Sequence, residues 1–261
     1  MDTDQKRIDK KEAFARLLNI MDDLRTKCPW DMKQTMESLR ILTIEETYEL
    51  SDAILSGKTD DVKEELGDLM LHLVFYARIA EETAAFTIAD AINGVCEKLI
   101  ARHPHIYGDV VVANEDDVKK NWEQLKLAEG KKSVLAGVPS GLPAMVKAYR
   151  MQEKTAQFGF EWAKKEDVWQ KVLEEVDEFR VAEQSSSLAH QEEEFGDVLF
   201  SLINYARYAG INPETALEKV NRKFKYRFEY IETNAGKPLQ EMSLEEMDAL
   251  WNEAKKFSST P

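Results

Sequence analysis

The sequence contains the same unit twice. Glu45-Glu46-Thr47-Tyr48-Glu49 aligns with Glu174-Glu175-Val176-Asp177-Glu178 at an offset of 129, and that offset also carries Glu64, Glu65, Gly67 and Asp68 onto Glu193, Glu194, Gly196 and Asp197. It carries Tyr76-Ala77-Arg78 onto Tyr205-Ala206-Arg207, so one register holds from 45 to 78 without a gap. Further on, Lys98 and Arg102 match Lys223 and Arg227 at an offset of 125, a loss of four residues. A chain with such a repeat must build one supersecondary unit twice. The Gly, Ser and Pro punctuation of Lys131 to Pro143 reads as the connection between copies. The division expected is residues 1–132, a linker at 133–143, and 144–261.

Each unit reads as helical. From Val62 to Glu81 the apolar residues fall at 62, 66, 69, 70, 73, 74 and 77, close to a 3.6-residue period. After Asp68 the run is apolar almost all round, as in a helix central to a bundle. Gly57 to Asp60 reads as a turn, with Thr59 or Asp60 as the N-cap of the next helix. Each copy is then a helical hairpin, with a further helix carrying the Lys and Arg. Val110 to Val112 supports only a brief extended loop. With 43% hydrophobic and 32% charged residues, 11 Gly and 7 Pro, the composition suits a helix-rich globular chain. The expected fold class is all-α.

The repeated acids carry the chemistry. Residues three apart on a helix share a face, so Glu46 pairs with Glu49 and Glu65 with Asp68; the second copy repeats this with Glu175, Glu178, Glu194 and Asp197. Two facing helices then bring four carboxylates to one point, and these repel unless a cation or proton neutralises them. Mg²⁺ or Mn²⁺, which prefer oxygen ligands, are the natural occupants. A lone acidic run is usually a solvated face. Here the paired motifs stand 19 residues apart in both copies (46 to 65, 175 to 194), beside an apolar run. Gly67 and Gly196, each costing about 1 kcal/mol in a helix, suggest a close helix approach beside the acids. A di-iron carboxylate bundle needs Glu-x-x-His pairs, and none of His72, His103, His105 or His190 follows an acid by three. His103-Pro104-His105 reads as a structured turn. No GxSxG, P-loop or GxGxxG pattern occurs, which leaves a metal-activated water as the nucleophile.

The formal net charge of -14 argues against a nucleic-acid partner, because phosphate-backbone binders show a basic face. A small polyphosphate held through metal ions is compatible with it. Cys28 and Cys96 lie far apart without CxxC spacing, which fits a reducing compartment. No signal peptide and no membrane-spanning run is evident, so a cytoplasmic location is expected.

Taken together, Cys28-Pro-Trp-Asp31, Glu45 to Glu49, Glu64 to Asp68, Arg102-His-Pro-His105, Trp122-Glu-Gln-Leu-Lys126, Gly159-Phe-Glu-Trp162, Glu174 to Glu178 and Glu193 to Asp197 resemble the MazG-type nucleoside triphosphate pyrophosphohydrolases over nearly the whole chain. The resemblance implies two tandem all-α MazG domains, a homodimer, and helix bundles completed by the partner. It implies hydrolysis of nucleoside triphosphates between the α and β phosphates to monophosphate and pyrophosphate, across ribo- and deoxynucleotides, in control of nucleotide pools. The second copy matches the family's catalytic pattern, with Glu175, Glu178, Glu194 and Asp197 as ligands of Mg²⁺ (or Mn²⁺). Lys171, Glu174, Glu193, Lys223, Arg227 and Trp251 are expected at the substrate: Lys223 and Arg227 on the β and γ phosphates, Trp251 on the base or docking the last helix. The first copy keeps Glu46, Glu49, Glu65, Asp68, Lys98 and Arg102. It has Phe75 where the second has Asn204, and Cys96 where it has Asn221, and the resemblance implies that this domain can be silent. Rival readings are a catalytically dead helical interaction module, and a narrower substrate such as dUTP, phosphoribosyl-ATP or a modified nucleotide.

Overall fold

The computed structural model of the chain describes residues 3–114, 117, 118, 121, 122, 125, 133–185 and 187–257. Of the Trp122 to Lys126 motif, Glu123, Gln124 and Lys126 lie outside the described residues, as do Lys131 and Lys132 at the start of the connecting stretch. The chain falls into two compact units, Met1–Val111 and Val112–Pro261. Among the described residues there is no strand, and residues 110–112 have no regular structure. Both units are helical, as the periodicity requires.

The first unit holds α1 (Thr3–Lys27), α2 (Met36–Ser56), α3 (Thr59–Glu81) and α4 (Ile88–Arg102), with one further helical turn at Pro104–Tyr107. The second holds α5 (Ala144–Ala156), α6 (Lys165–Ser185), α7 (Leu188–Tyr208), α8 (Pro213–Asn234) and α9 (Leu244–Phe257). The repeat register survives folding: adding 129 to the bounds of α2, 36 and 56, gives 165 and 185, the bounds of α6. Adding 125 to the first residue of α4, 88, gives 213, the first of α8.

Local chemistry sets the helix ends. Thr35 and Ser38 form a reciprocal capping box on α2, each side chain accepting from the other's backbone N–H, and Thr87 with Asp90 does the same on α4. Gly57 ends α2 in the left-handed region at φ 71°, where a side chain is strained. The expected cap of α3 is corrected: Thr59 is already its first helical residue, Lys58 holds the N-cap position, and no side chain caps it. The turn is so tight after Gly57 that the helix starts before either polar side chain reaches a capping position.

In each unit the hairpin, α2 with α3 or α6 with α7, is the main packed pair. The first core joins Met21, Leu39, Val74 and Phe75, with Phe14, Leu17, Leu71 and Ile79 around them. Its second-unit counterparts include Val168 for Leu39 and Ile203 for Val74, also buried. Arg25 ties the segment before α2 to the end of α3: Nε and Nη2 donate to Glu82 at 2.7 and 2.9 Å, and Nη1 to the backbone oxygens of Gln34, at 3.0 Å, and Asp31. The apolar run of α3 is enclosed on one side only. Val74, Phe75 and Ala77 are buried, whereas Leu66, Met70 and Leu73 are exposed, and so are the matching Phe195, Leu199 and Leu202 of α7.

The seam makes Leu39 the critical side chain of the first hairpin. Leu39→Ala is expected to cost about 2–5 kcal/mol through the cavity it opens, and Thr35→Ala about 1 kcal/mol through the lost cap. Urea denaturation monitored by circular dichroism reads both; a smaller loss for Leu39→Ala than for Thr35→Ala would contradict this packing.

Candidate functional site

Packing of α6 on α7 brings carboxylate oxygens of Glu175, Glu178 and Glu194 within 4.8 Å of one another, and packing of α2 on α3 does the same for Glu46, Glu49 and Glu65. The i, i+3 pair on one helix and the single acid on the next come from the predicted 19-residue spacing. Asp68 and Asp197 do not join their groups. Asp68 still acts on its cluster electrostatically, helping to raise the carboxyl pKa values of Glu46 and Glu65. Asp197 lies exposed on α7.

The charge is not relieved equally in the two clusters. In the first, burial pushes Glu46 up from the usual carboxylate range, with Asp68, Glu49 and Glu65 adding repulsion. Glu65 is raised for the same reasons, burial first and then Glu49 and Asp68. In the second, Glu178 is raised by burial and by Glu175, and the nearby Lys171 opposes this. Lys171 places Nζ 2.7 Å from Glu174 Oε1 and 2.8 Å from Glu175 Oε1, which holds its ammonium well above the ordinary lysine value. At the matching position of the first unit, 171 - 129 = 42, stands Leu42, packed against the core.

A cavity of about 610 Å³ opens beside the second cluster, lined by Gln170, Glu174, Asp177, Glu178, His190 and Glu194. This volume is in the range of sites for small organic ligands. His190 approaches Glu193 and Glu194 through Nδ1, at 3.7 Å each. The motifs gave no role to His190, Gln170 or Asp177. Comparing the copies would have flagged His190, because position 61 in the first unit is an aspartate.

The remaining expected residues stand on further helices of each unit, apart from Asn204 on α7. Lys98 and Arg102 stand on α4, and Lys223 and Arg227 on α8, each pair one turn apart on one face. The Arg227 guanidinium lies over the Trp251 ring at 5.4 Å, and Trp251 meets the edge of Phe224 at 5.2 Å. Trp251 thus docks α9 on α8. On the same helix Glu229 has Lys225 at 3.7 Å. Asn204 accepts from Arg207 Nε and Nη2 at 3.3 and 2.9 Å. Its counterpart Phe75 is buried in the core. The close approach expected at Gly67 and Gly196 is corrected: both are exposed, and a Cβ built at either would meet nothing within 4 Å. His103 closes α4, with Nδ1 2.6 Å from the Leu99 oxygen, consistent with the expected turn.

The chemistry of the donor set fits a hard divalent cation. Three oxygen donors converge, and burial together with repulsion between the acids raises carboxyl pKa values in both groups, a cost that a bound cation relieves. No helix among the described residues is long and apolar enough to cross a membrane.

Known proteins share this arrangement of sequence. Residues 34–107 match the family described as MazG nucleotide pyrophosphohydrolase domain, and residues 145–224 match phosphoribosyl-ATP pyrophosphohydrolase. The chain is 44% identical over 256 residues to a Thermotoga maritima protein named nucleoside triphosphate pyrophosphohydrolase/pyrophosphatase MazG, covering 94% of this chain and 98% of that one. It is 39% identical over 253 residues to the nucleoside triphosphate pyrophosphohydrolase of Escherichia coli K12, covering 92% and 96%. An uncharacterized protein of Bacillus subtilis is 47% identical over 251 residues, covering 93% of this chain and 51% of its own length.

Burial of Glu46 among the acids of the first cluster sets a pH dependence. Because the pKa of Glu46 is raised in the folded chain above its ordinary 4.5, ionising it costs the folded state, and stability is lost as pH rises through that raised value. Glu46→Gln removes the cost. In a chelating buffer its urea midpoint is expected to match the parent's near pH 4 and to exceed it at pH 7; a deficit at pH 7 would contradict the cost of ionising Glu46 in the folded chain.

Proposed function

The chain belongs to the MazG family of nucleotide pyrophosphohydrolases, and from that premise we propose a Mg²⁺-dependent hydrolase that cleaves nucleoside triphosphates between the α and β phosphates in the second unit. The observation that carries this reading is the Glu175, Glu178 and Glu194 cluster, with Lys171 at its edge and a nucleotide-scale cavity beside it. One water is consumed, the bond from the α phosphorus to the bridging oxygen breaks, and monophosphate and pyrophosphate leave. Ribo- and deoxynucleotides are both proposed as substrates, in control of cytoplasmic nucleotide pools.

Glu175, Glu178 and Glu194, with Asp197 from the exposed side of α7, are the proposed holders of Mg²⁺, with Mn²⁺ as a substitute. When bound, such an ion neutralises phosphate charge and lowers the pKa of a coordinated water. The residues of the chain supply position and field. The acids exclude an anionic substrate that arrives without a cation. Lys171 stands close enough to exchange a carboxylate for a phosphate oxygen. Lys223 and Arg227 offer two cations one helical turn apart for the β and γ phosphates. Trp251 fixes Arg227 through its ring, which limits the loss of side-chain freedom on binding. The match of residues 145–224 to phosphoribosyl-ATP pyrophosphohydrolase favours a second reading, in which the substrate is that nucleotide.

We also propose a homodimer whose contact covers Leu66, Met70 and Leu73 on α3 and Phe195, Leu199 and Leu202 on α7. Recurrence of one exposed apolar triplet at matching positions in both units supports this, because isolated exposed apolar residues need no explanation but a repeated stripe does.

Purified protein with Mg²⁺ and a panel of nucleotides, phosphoribosyl-ATP included, is expected to release pyrophosphate. Glu175→Gln is expected to lower kcat about 10²-fold or more, as for loss of one preorganised electrostatic group, and Glu46→Gln to leave it nearly unchanged. Equal losses would overturn the assignment of turnover to the second unit. Leu199→Glu is expected to shift the sedimentation coefficient from dimer to monomer; an unaltered dimer would remove α7 from the contact.

A further inference from the structure

Lys171 is not required by the fold. Its counterpart Leu42 occupies the same turn of a helix with matching bounds and packs against apolar neighbours. In the second unit that position carries an ammonium whose hydrogen bonds, at 2.7 and 2.8 Å, go to Glu174 and Glu175. Glu175 is the most enclosed of the converging acids, at 8% exposure. Its oxygens are therefore claimed twice, by the lysine one turn earlier and by any cation at the cluster.

Two cations drawn to one carboxylate compete for its lone pairs and repel each other. Resting on the reading above, we propose that Lys171 competes with the divalent cation for Glu175, so that the second unit takes its cation weakly alone and more tightly once a nucleotide phosphate draws the ammonium away. A phosphate oxygen is a strong acceptor for a lysine ammonium. Its arrival frees Glu175 for the cation, and arrival of the cation frees Lys171 for the phosphate. This coupling is reciprocal: each ligand raises the affinity of the other by the same factor. The first unit, with Leu42, has no such device. Lys171 is thus a positioning residue that makes cation and nucleotide arrive together.

The test uses Mn²⁺ binding measured by electron paramagnetic resonance on the full-length chain, without nucleotide, in a Glu46→Gln background that disables the first cluster. Lys171→Leu places at 171 the residue that the fold already accepts at 42. It is expected to bind Mn²⁺ roughly tenfold more tightly, on the scale of one charge-assisted hydrogen bond, whereas Lys171→Arg keeps the weak affinity. Adding a non-hydrolysable triphosphate is expected to tighten Mn²⁺ binding less in Lys171→Leu than with Lys171 intact. Equal or weaker Mn²⁺ binding by Lys171→Leu, with binding abolished by Glu175→Gln, overturns the competition and leaves the metal site standing. No Mn²⁺ bound in any of these proteins overturns both.

Discussion

Mutual repulsion among three carboxylates is the constraint to which the rest of each unit answers. Nothing in a pair of isolated helices favours holding Glu175, Glu178 and Glu194 within 4.8 Å of one another. The approach is imposed by the apolar contact between α6 and α7, in which Val168, Val172, Ala182, Val198 and Ile203 are buried. The first unit uses the same device, with Leu39, Ala53, Val74 and Ala77 in the equivalent seam. Hydrophobic burial therefore sets the distance, and it is also the first cause of the raised carboxyl pKa values of Glu46, Glu65 and Glu178, with repulsion from the neighbouring acids adding to it. Sites that store repulsion in this way are where a cation gains most by binding.

From one scaffold the two copies part through single substitutions. Leu42 completes a core, whereas Lys171 partly neutralises the acids. Phe75 is buried in the first unit and meets the Arg25 guanidinium at 5.8 Å. At that position in the second, Asn204 holds Arg207, which also pairs with Glu161. The same arginine in the first unit, Arg78, is held by Asp22 and Glu82. At these positions the first unit buries apolar surface where the second holds polar groups.

Much of this was legible because it depends on spacing. The offset of 129 gave the paired helices, and the bounds of α2 and α6 obey it to the residue. The spacing also found all six converging acids, since i, i+3 placement is a property of the backbone. What escaped depends on side-chain reach and on the space between elements. Asp68 and Asp197 come three residues after Glu65 and Glu194, yet fall outside the converging groups, although Asp68 still acts on Glu46 across the hairpin through its charge. Gly67 and Gly196 carry no close contact within one chain, and a glycine's reason is invisible without its neighbours. The Trp251 ring under Arg227 joins α9 to α8 across a turn whose path the spacing does not give.

The uncovered triplets bear on the site itself. A two-helix hairpin has one seam, and a helix apolar nearly all round cannot satisfy both sides with it. Leu66, Met70 and Leu73 begin immediately beside Glu65, as Phe195, Leu199 and Leu202 begin beside Glu194. Whatever covers these stripes must end next to the acids and wall the space into which a substrate enters. On the proposed pairing of two copies, one burial event would exclude water from the apolar stripe and enclose the charged end at the same time. That coupling gives a reason for placing carboxylates at the head of a hydrophobic helix: the lowered dielectric strengthens every interaction between acids, cation and phosphate.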